Sequence, residues 1–208
     1  MTKVKICGLS RPEDIAAVNE AKPDYAGFVF FEKSKRNISY ERAAVLLKEL
    51  DPNIQSVAVC VSPNREALQK METLGVDIIQ IHGKISGALL DTVRLPVWQA
   101  VNLRDGLHPE ELFDHPRIAG YVVDGADYGG GKTFGWETEE NSGVLAEQIR
   151  TTLSGKSFIL AGGLNLDNVG LGVRLFAPDT VDVSSGVEKG QYKDREAIIK
   201  FVRKVRGL

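Results

Sequence analysis

The chain has 208 residues, 43% hydrophobic and 26% charged, enough for one substantial core or at most two small ones. A net charge of −2 and a pI near 6.0, with Lys and Arg scattered among acids, leave no electrostatic footprint for nucleic acid. No stretch reaches the roughly 20 apolar residues of a membrane span. The first ten residues, MTKVKICGLS, lack the apolar run of a signal peptide, so a cytoplasmic protein with no membrane partner is expected.

Taken in chain order, short apolar runs alternate with amphipathic stretches. VKIC (4–7) reads as a strand and RPEDIAAVNEA (11–21) as a helix with Pro12 near its start, where a missing amide hydrogen costs least. YAGFVF (25–30) and SYERAAVLLKEL (39–50) repeat the pair. So do SVAVCV (56–61) and NREALQKMETLG (64–75), the latter with Pro63 at its start and Asn64 as a cap. DIIQIH (77–82) and VWQAV (97–101) are the next strands. The helix after the fifth strand begins near Pro109, and His108 and His115 around it are expected to be solvated surface groups. GYVVD (120–124), the helix NSGVLAEQIRTTL (141–153), FILAG (158–162) and TVDVSS (180–185) complete the series, with Asp167 and Asp194 as caps of the last two helices.

Eight strands alternating with helices imply a parallel sheet with right-handed crossovers. Roughly 26 residues per unit is compact but workable for a closed (β/α)8 TIM barrel, and an open doubly wound sheet is the alternative. No low-complexity linker divides residues 1–208, which are read as one domain. The two cysteines, Cys7 and Cys60, lie far apart in apolar runs and are expected to be free thiols, with no cysteine metal site.

In such a barrel the reactive groups sit at the C-terminal ends of the strands, which selects Cys7, the loop after Phe30, Gln80, His82, Asp124, Gly162, Gly163 and the segment Ser184 to Gly186. Side chains alternate along a strand, so Lys5 and Cys7 share one face, Val4 and Ile6 the other. The last strand sets Thr180, Asp182 and Ser184 against Val181 and Val183. Closure makes strands 1 and 8 neighbours, so Lys5 and Asp182 are expected to form an interior ion pair whose ammonium favours the Cys7 thiolate. Cys60, embedded in its run, is read as structural. Gln80 and His82 share a face as supporting or substrate-contacting groups, and no second histidine at ligand spacing supports a metal. AGGLN (161–165) and DVSSGVE (182–188) end adjacent strands and form a phosphate site, implying a phosphorylated small molecule.

GGGKT at 129–133 imitates a nucleotide-binding loop, but the required first glycine falls at Ala126, and Phe134-Gly135-Trp136 opens a helix poorly. A nucleotide loop is therefore not expected.

KICGL (5–9), GFVFFEKSKRNIS (27–39), QIHG (80–83), VVDG (122–125), GGGKTFGW (129–136), ILAGGLN (159–165) and VDVSSGVE (181–188) together resemble the phosphoribosylanthranilate isomerase family of tryptophan biosynthesis. The resemblance implies a (β/α)8 barrel performing a cofactor-independent Amadori rearrangement of N-(5′-phosphoribosyl)anthranilate. Carried over by position, it makes Cys7 the general base and Asp124 the general acid, and directs Arg36 at the anthranilate carboxylate. It also puts Asp182 near the sugar and Gly163, Ser185 and Gly186, beside Gly162, around the phosphate. The chain departs from the pattern at Gly135, where relatives carry an aspartate; closure of that loop is expected to be entropically costlier, and Gly135→Asp to lower or preserve the Michaelis constant. The alternatives are another phosphosugar isomerase barrel, or a non-catalytic barrel that binds a phosphate ligand. Sequence leaves monomer and homodimer open.

Overall fold

A computed structural model of the chain describes residues 1–102, 114–124, 147, 151–153 and 155–208. The expectations for His108, Pro109, the GGGKT loop and Gly135 lie outside the described residues, as does most of the helix expected at 141–153, of which 147 and 151–153 are helical.

Eight parallel strands close into a barrel: β1 (Lys3–Cys7), β2 (Tyr25–Phe30), β3 (Gln55–Val61), β4 (Ile78–His82), β5 (Val97–Asn102), β6 (Ile118–Asp124), β7 (Ser157–Leu160) and β8 (Thr180–Val183). β7 and β8 end two residues earlier than the apolar runs suggest, which frees 161–162 and 184–185 to turn over the rim. The ring of helices includes α1 (Pro12–Ala21), α2 (Tyr40–Glu49), α3 (Arg65–Thr73), α4 (Gly87–Leu90), α5 (Val169–Phe176) and α6 (Arg195–Arg206). A hairpin of two short strands, β9 (Glu188–Lys189) and β10 (Tyr192–Lys193), precedes α6; sequence gave no sign of it. Among the described residues, no helix is long and apolar enough to cross a membrane.

The caps follow side-chain chemistry. Asn64 accepts from the Ala67 amide and Asp194 from the Ala197 amide, satisfying donors that a helix start leaves open. Asp167 does not cap α5. Asn165 Oδ1 takes the Asp167 and Asn168 amides at 2.8 and 3.2 Å, while Asn168 Oδ1 takes the Asn165 amide at 2.8 Å, so two asparagines close this turn on each other. His115 is also not a solvated surface group. Its side chain is 13% exposed, with Nε2 3.2 Å from Asp91 Oδ1 and Nδ1 accepting from the Arg117 amide.

The period-two alternation divides the core into two shells. Val4, Ile6, Val181 and Val183 pack outward against the helices, with Cys60, Phe28 and Phe201 in the same shell. Cys7, Tyr25, Val57, Ile78, Trp98, Val122 and Ile159 fill the barrel interior, where Tyr25 and Trp98 meet edge to face with ring centres 4.9 Å apart. The closing seam pairs β1 with β8 in the register Lys5↔Asp182, which puts the strand-1 lysine directly beside the strand-8 aspartate.

Candidate active site

A cavity of about 450 Å³ opens at the C-terminal ends of the strands. Residues selected from sequence that line it are Cys7, Arg36, Gln80, His82, Asp124, Gly162, Gly163, Asp182, Ser184 and Ser185. Gly186 does not. It lies behind the rim, bridged to Asn165, where a Cβ would stand 2.0 Å from the Leu164 carbonyl oxygen. Gly186 therefore lets the segments after β7 and β8 touch, and brings Gly163 and Ser185 to one wall of the cavity without lining it.

At the floor, Lys5 Nζ donates to Asp182 Oδ2 at 2.8 Å, and the lysine is fully buried. Burial alone would lower the Lys5 pKa, but it is raised on balance, with the Asp182 carboxylate the largest opposing cause, so the ammonium is favoured. Gly27 on β2 makes room for this pair and the thiol: a Cβ there would lie 2.9 Å from Cys7 Sγ and 3.2 Å from Lys5 Cε. Cys7 ends β1, and Gly8 follows at φ +85°, a conformation costly for other residues, turning the chain out at the rim.

The Lys5 ammonium favours the Cys7 thiolate, as expected, but it does not prevail. Burial pushes the thiol up, and Lys5, although it pulls the other way, offsets only part of this, with Asp182 adding to the rise. Near pH 7 the Cys7 thiol therefore keeps its proton. Cys60, in the outer shell with no such cation, is pushed up to about 12 by burial, and its thiol donates to the Gln80 carbonyl.

On β4, Gln80 Nε2 lies 2.9 Å from His82 Nε2, as their shared face requires. Desolvation, helped by the Lys5 ammonium, holds the His82 imidazole at about 4, so the ring is neutral near pH 7. Gln80 Oε1 and Asp182 Oδ1 are buried acceptors with no partner among the described residues. Each belongs to a residue lining the cavity, where a hydroxyl-bearing ligand can satisfy it. Asp124 ends β6 across the ring from Cys7.

Arg36 comes from the loop after β2, which folds back as the Ile38 amide donates to the Val29 carbonyl at 3.0 Å. Its Nε and Nη2 donate to Glu188 Oε1 and Oε2 at 2.6 and 3.0 Å. Burial would raise the Glu188 pKa, but Arg36 and Lys193 hold it down at about 2. Sequence reasoning gave Glu188 and Lys193 no role. The signal was a Glu and a Lys flanking a glycine turn directly after SSGV, legible only once the hairpin is known. Lys33 and Lys35 also line the cavity, so its open side is cationic.

The family model for N-(5′-phosphoribosyl)anthranilate isomerase matches residues 4–204. The N-(5′-phosphoribosyl)anthranilate isomerase of Thermoanaerobacter sp. (strain X514) is 42% identical over 214 residues, covering all of both chains. The chain belongs to this family. It is an isomerase of N-(5′-phosphoribosyl)anthranilate in tryptophan biosynthesis, which sets aside the other phosphosugar barrels and the non-catalytic binder. The crystal structure of the Thermotoga maritima enzyme superposes with a TM-score of 0.87 at 32% identity, covering all of both chains. A second solved isomerase of the family, in complex with reduced 1-(o-carboxyphenylamino)-1-deoxyribulose 5-phosphate, gives a TM-score of 0.78 at 28% identity, again covering all of both chains.

Proposed function

We propose that residues 1–208 act as one barrel domain in which Cys7 and Asp124 carry the proton transfers of the Amadori rearrangement. The observation supporting this is that the two side chains end β1 and β6 and line one cavity in a chain of this family. Asp124, protonated, gives its proton to the furanose ring oxygen. The C1′–O bond breaks, and the anthranilate nitrogen lone pair forms the Schiff base. Cys7, as thiolate, removes the C2′ proton; the C–H electron pair becomes the C1′=C2′ bond and the C=N pair returns to nitrogen. The resulting enolamine tautomerises to the ketone, so C2′ is oxidised and C1′ reduced within one molecule. Because burial keeps the thiol protonated, Cys7 must lose its proton on the way to the reactive complex.

The substrate is a phosphorylated small molecule, in keeping with the relative that holds a deoxyribulose 5-phosphate compound. Its phosphate faces Gly162, Gly163 and Ser185, with Gly186 holding their two segments together, and its carboxylate faces Arg36. Asp182 and Gln80 offer their unpartnered oxygens to the sugar hydroxyls, and His82 orients Gln80. Generating the substrate in situ and following the loss of its fluorescence tests the assignment. Cys7→Ser and Asp124→Asn should each lose about 10²- to 10⁴-fold in turnover. Full activity in both would overturn it.

A further inference from the structure

The hairpin β9–β10 lies outside the cavity, yet its two cross-strand partners, Glu188 and Lys193, are among the least exposed charged side chains described, at 4% and 2%. Glu188 holds Arg36 side-on, through Nε and Nη2. Among the described residues Nη1 has no partner, so the end-on edge formed by Nη1 and the second hydrogen of Nη2 is left for another carboxylate. Glu188 is in turn fixed by Lys193 Nζ at 2.7 Å, with the exposed Lys35 Nζ at 3.3 Å. The same Lys193 nitrogen donates to the Ser184 carbonyl at 2.9 Å and approaches Ser184 Oγ at 3.1 Å. Ser184 Oγ donates to the Cys7 carbonyl at 2.9 Å. One continuous chain of hydrogen bonds therefore runs from Arg36 to the segment after β8 and the end of β1.

We propose that Glu188, locked by Lys193 across the hairpin, is a positioning residue that presents the end-on edge of Arg36 to the carboxylate of the bound substrate. The proposal rests on the Arg36 assignment above. A flexible arginine loses several rotamers on capturing a carboxylate; one already held in plane by a buried partner loses fewer, and binds more tightly for that reason. Glu188 does not compete for the ligand, because it occupies a different edge of the guanidinium and lies behind the cavity wall.

The test is competitive inhibition of the isomerase by two separate probes, anthranilate and inorganic phosphate, in wild type, Glu188→Gln and Glu188→Asp. Glu188→Gln should weaken anthranilate about tenfold, the loss of one charge-assisted hydrogen bond, and raise the Michaelis constant more than it lowers turnover. Phosphate inhibition should stay within about twofold, since the amide of residue 188 still donates to the Ser185 carbonyl whatever its side chain. Glu188→Asp keeps the charge on a shorter arm and should fall between; it carries the test should Glu188→Gln fail to fold. Equal weakening of both probes would mean a general structural role and overturn the proposal. Unchanged or tighter anthranilate binding would also overturn it, showing Glu188 to be idle or a competitor. Absence of turnover in the wild type would fault the functional assignment instead, while direct titration with anthranilate would still report on Glu188.

Discussion

The two cysteines compare the two shells of the barrel. Both are buried and both lie on strands, but Cys7 points inward beside Lys5 and Asp182, whereas Cys60 points outward among aliphatic side chains. Burial raises both thiols. Only at Cys7 is a cation close enough to oppose that rise. Burial thus sets a common starting point, and the Lys5 ammonium draws one thiol part of the way back. The interior can hold those charges because Lys5 and Asp182 neutralise each other across the seam, while the outer shell holds helices and contributes stability.

Removing the charge from the interior should have the largest effect. Lys5→Met leaves Asp182 buried and uncompensated, and should cost about 3–5 kcal/mol in denaturant unfolding. In whatever fraction folds, pH-dependent alkylation should show the Cys7 pKa moving further up; an unchanged value would break the comparison. Next is His82, a second interior titrating group. Its folded pKa of about 4 lies below the ordinary 6.5, so the unfolded chain binds the proton more readily. Stability from the neutral ring is present above about pH 6.5 and is lost as the pH falls towards 4, by about 3 kcal/mol in all. Urea unfolding of wild type and His82→Gln at pH 7 and pH 4.5 checks this; the variant should lose less on acidification. Glu188, held at about 2, keeps its contribution above about pH 4.5 and loses it as the pH falls through 2, so the two windows separate. The smallest effect is expected in the outer shell. Cys60→Ala should cost about 1 kcal/mol and leave turnover unchanged, and a large loss of activity would mean that the shells are not separable in this way.

The parts legible in sequence were those fixed by periodicity and topology. Alternation put Lys5 with Cys7 and Asp182 with Ser184, and closure of an eight-strand barrel then required Lys5 and Asp182 to meet. Residues at strand ends, such as Asp124 and His82, followed from the same rule. What sequence did not yield depended on magnitudes or on distant partners. The protonation of Cys7 is a contest between desolvation and charge, whose winner depends on depth. His115 meets Asp91, 24 residues away, and Arg36 meets Glu188, 152 residues away, across loops with no period to read. Asp167 is a good cap by type, but the neighbouring asparagines satisfy the turn first. β9 and β10 have two residues each, too few for any alternation to show.

The Lys5–Asp182 contact joins residues 177 apart, so it also bears on the order of synthesis. A nascent chain makes this lysine 177 residues before this aspartate. Until β8 has left the ribosome, Lys5 has no counter-ion to accompany it into an apolar interior, and early collapse of the half-made barrel around it is disfavoured. Closure of the sheet and pairing of the buried lysine are then one event.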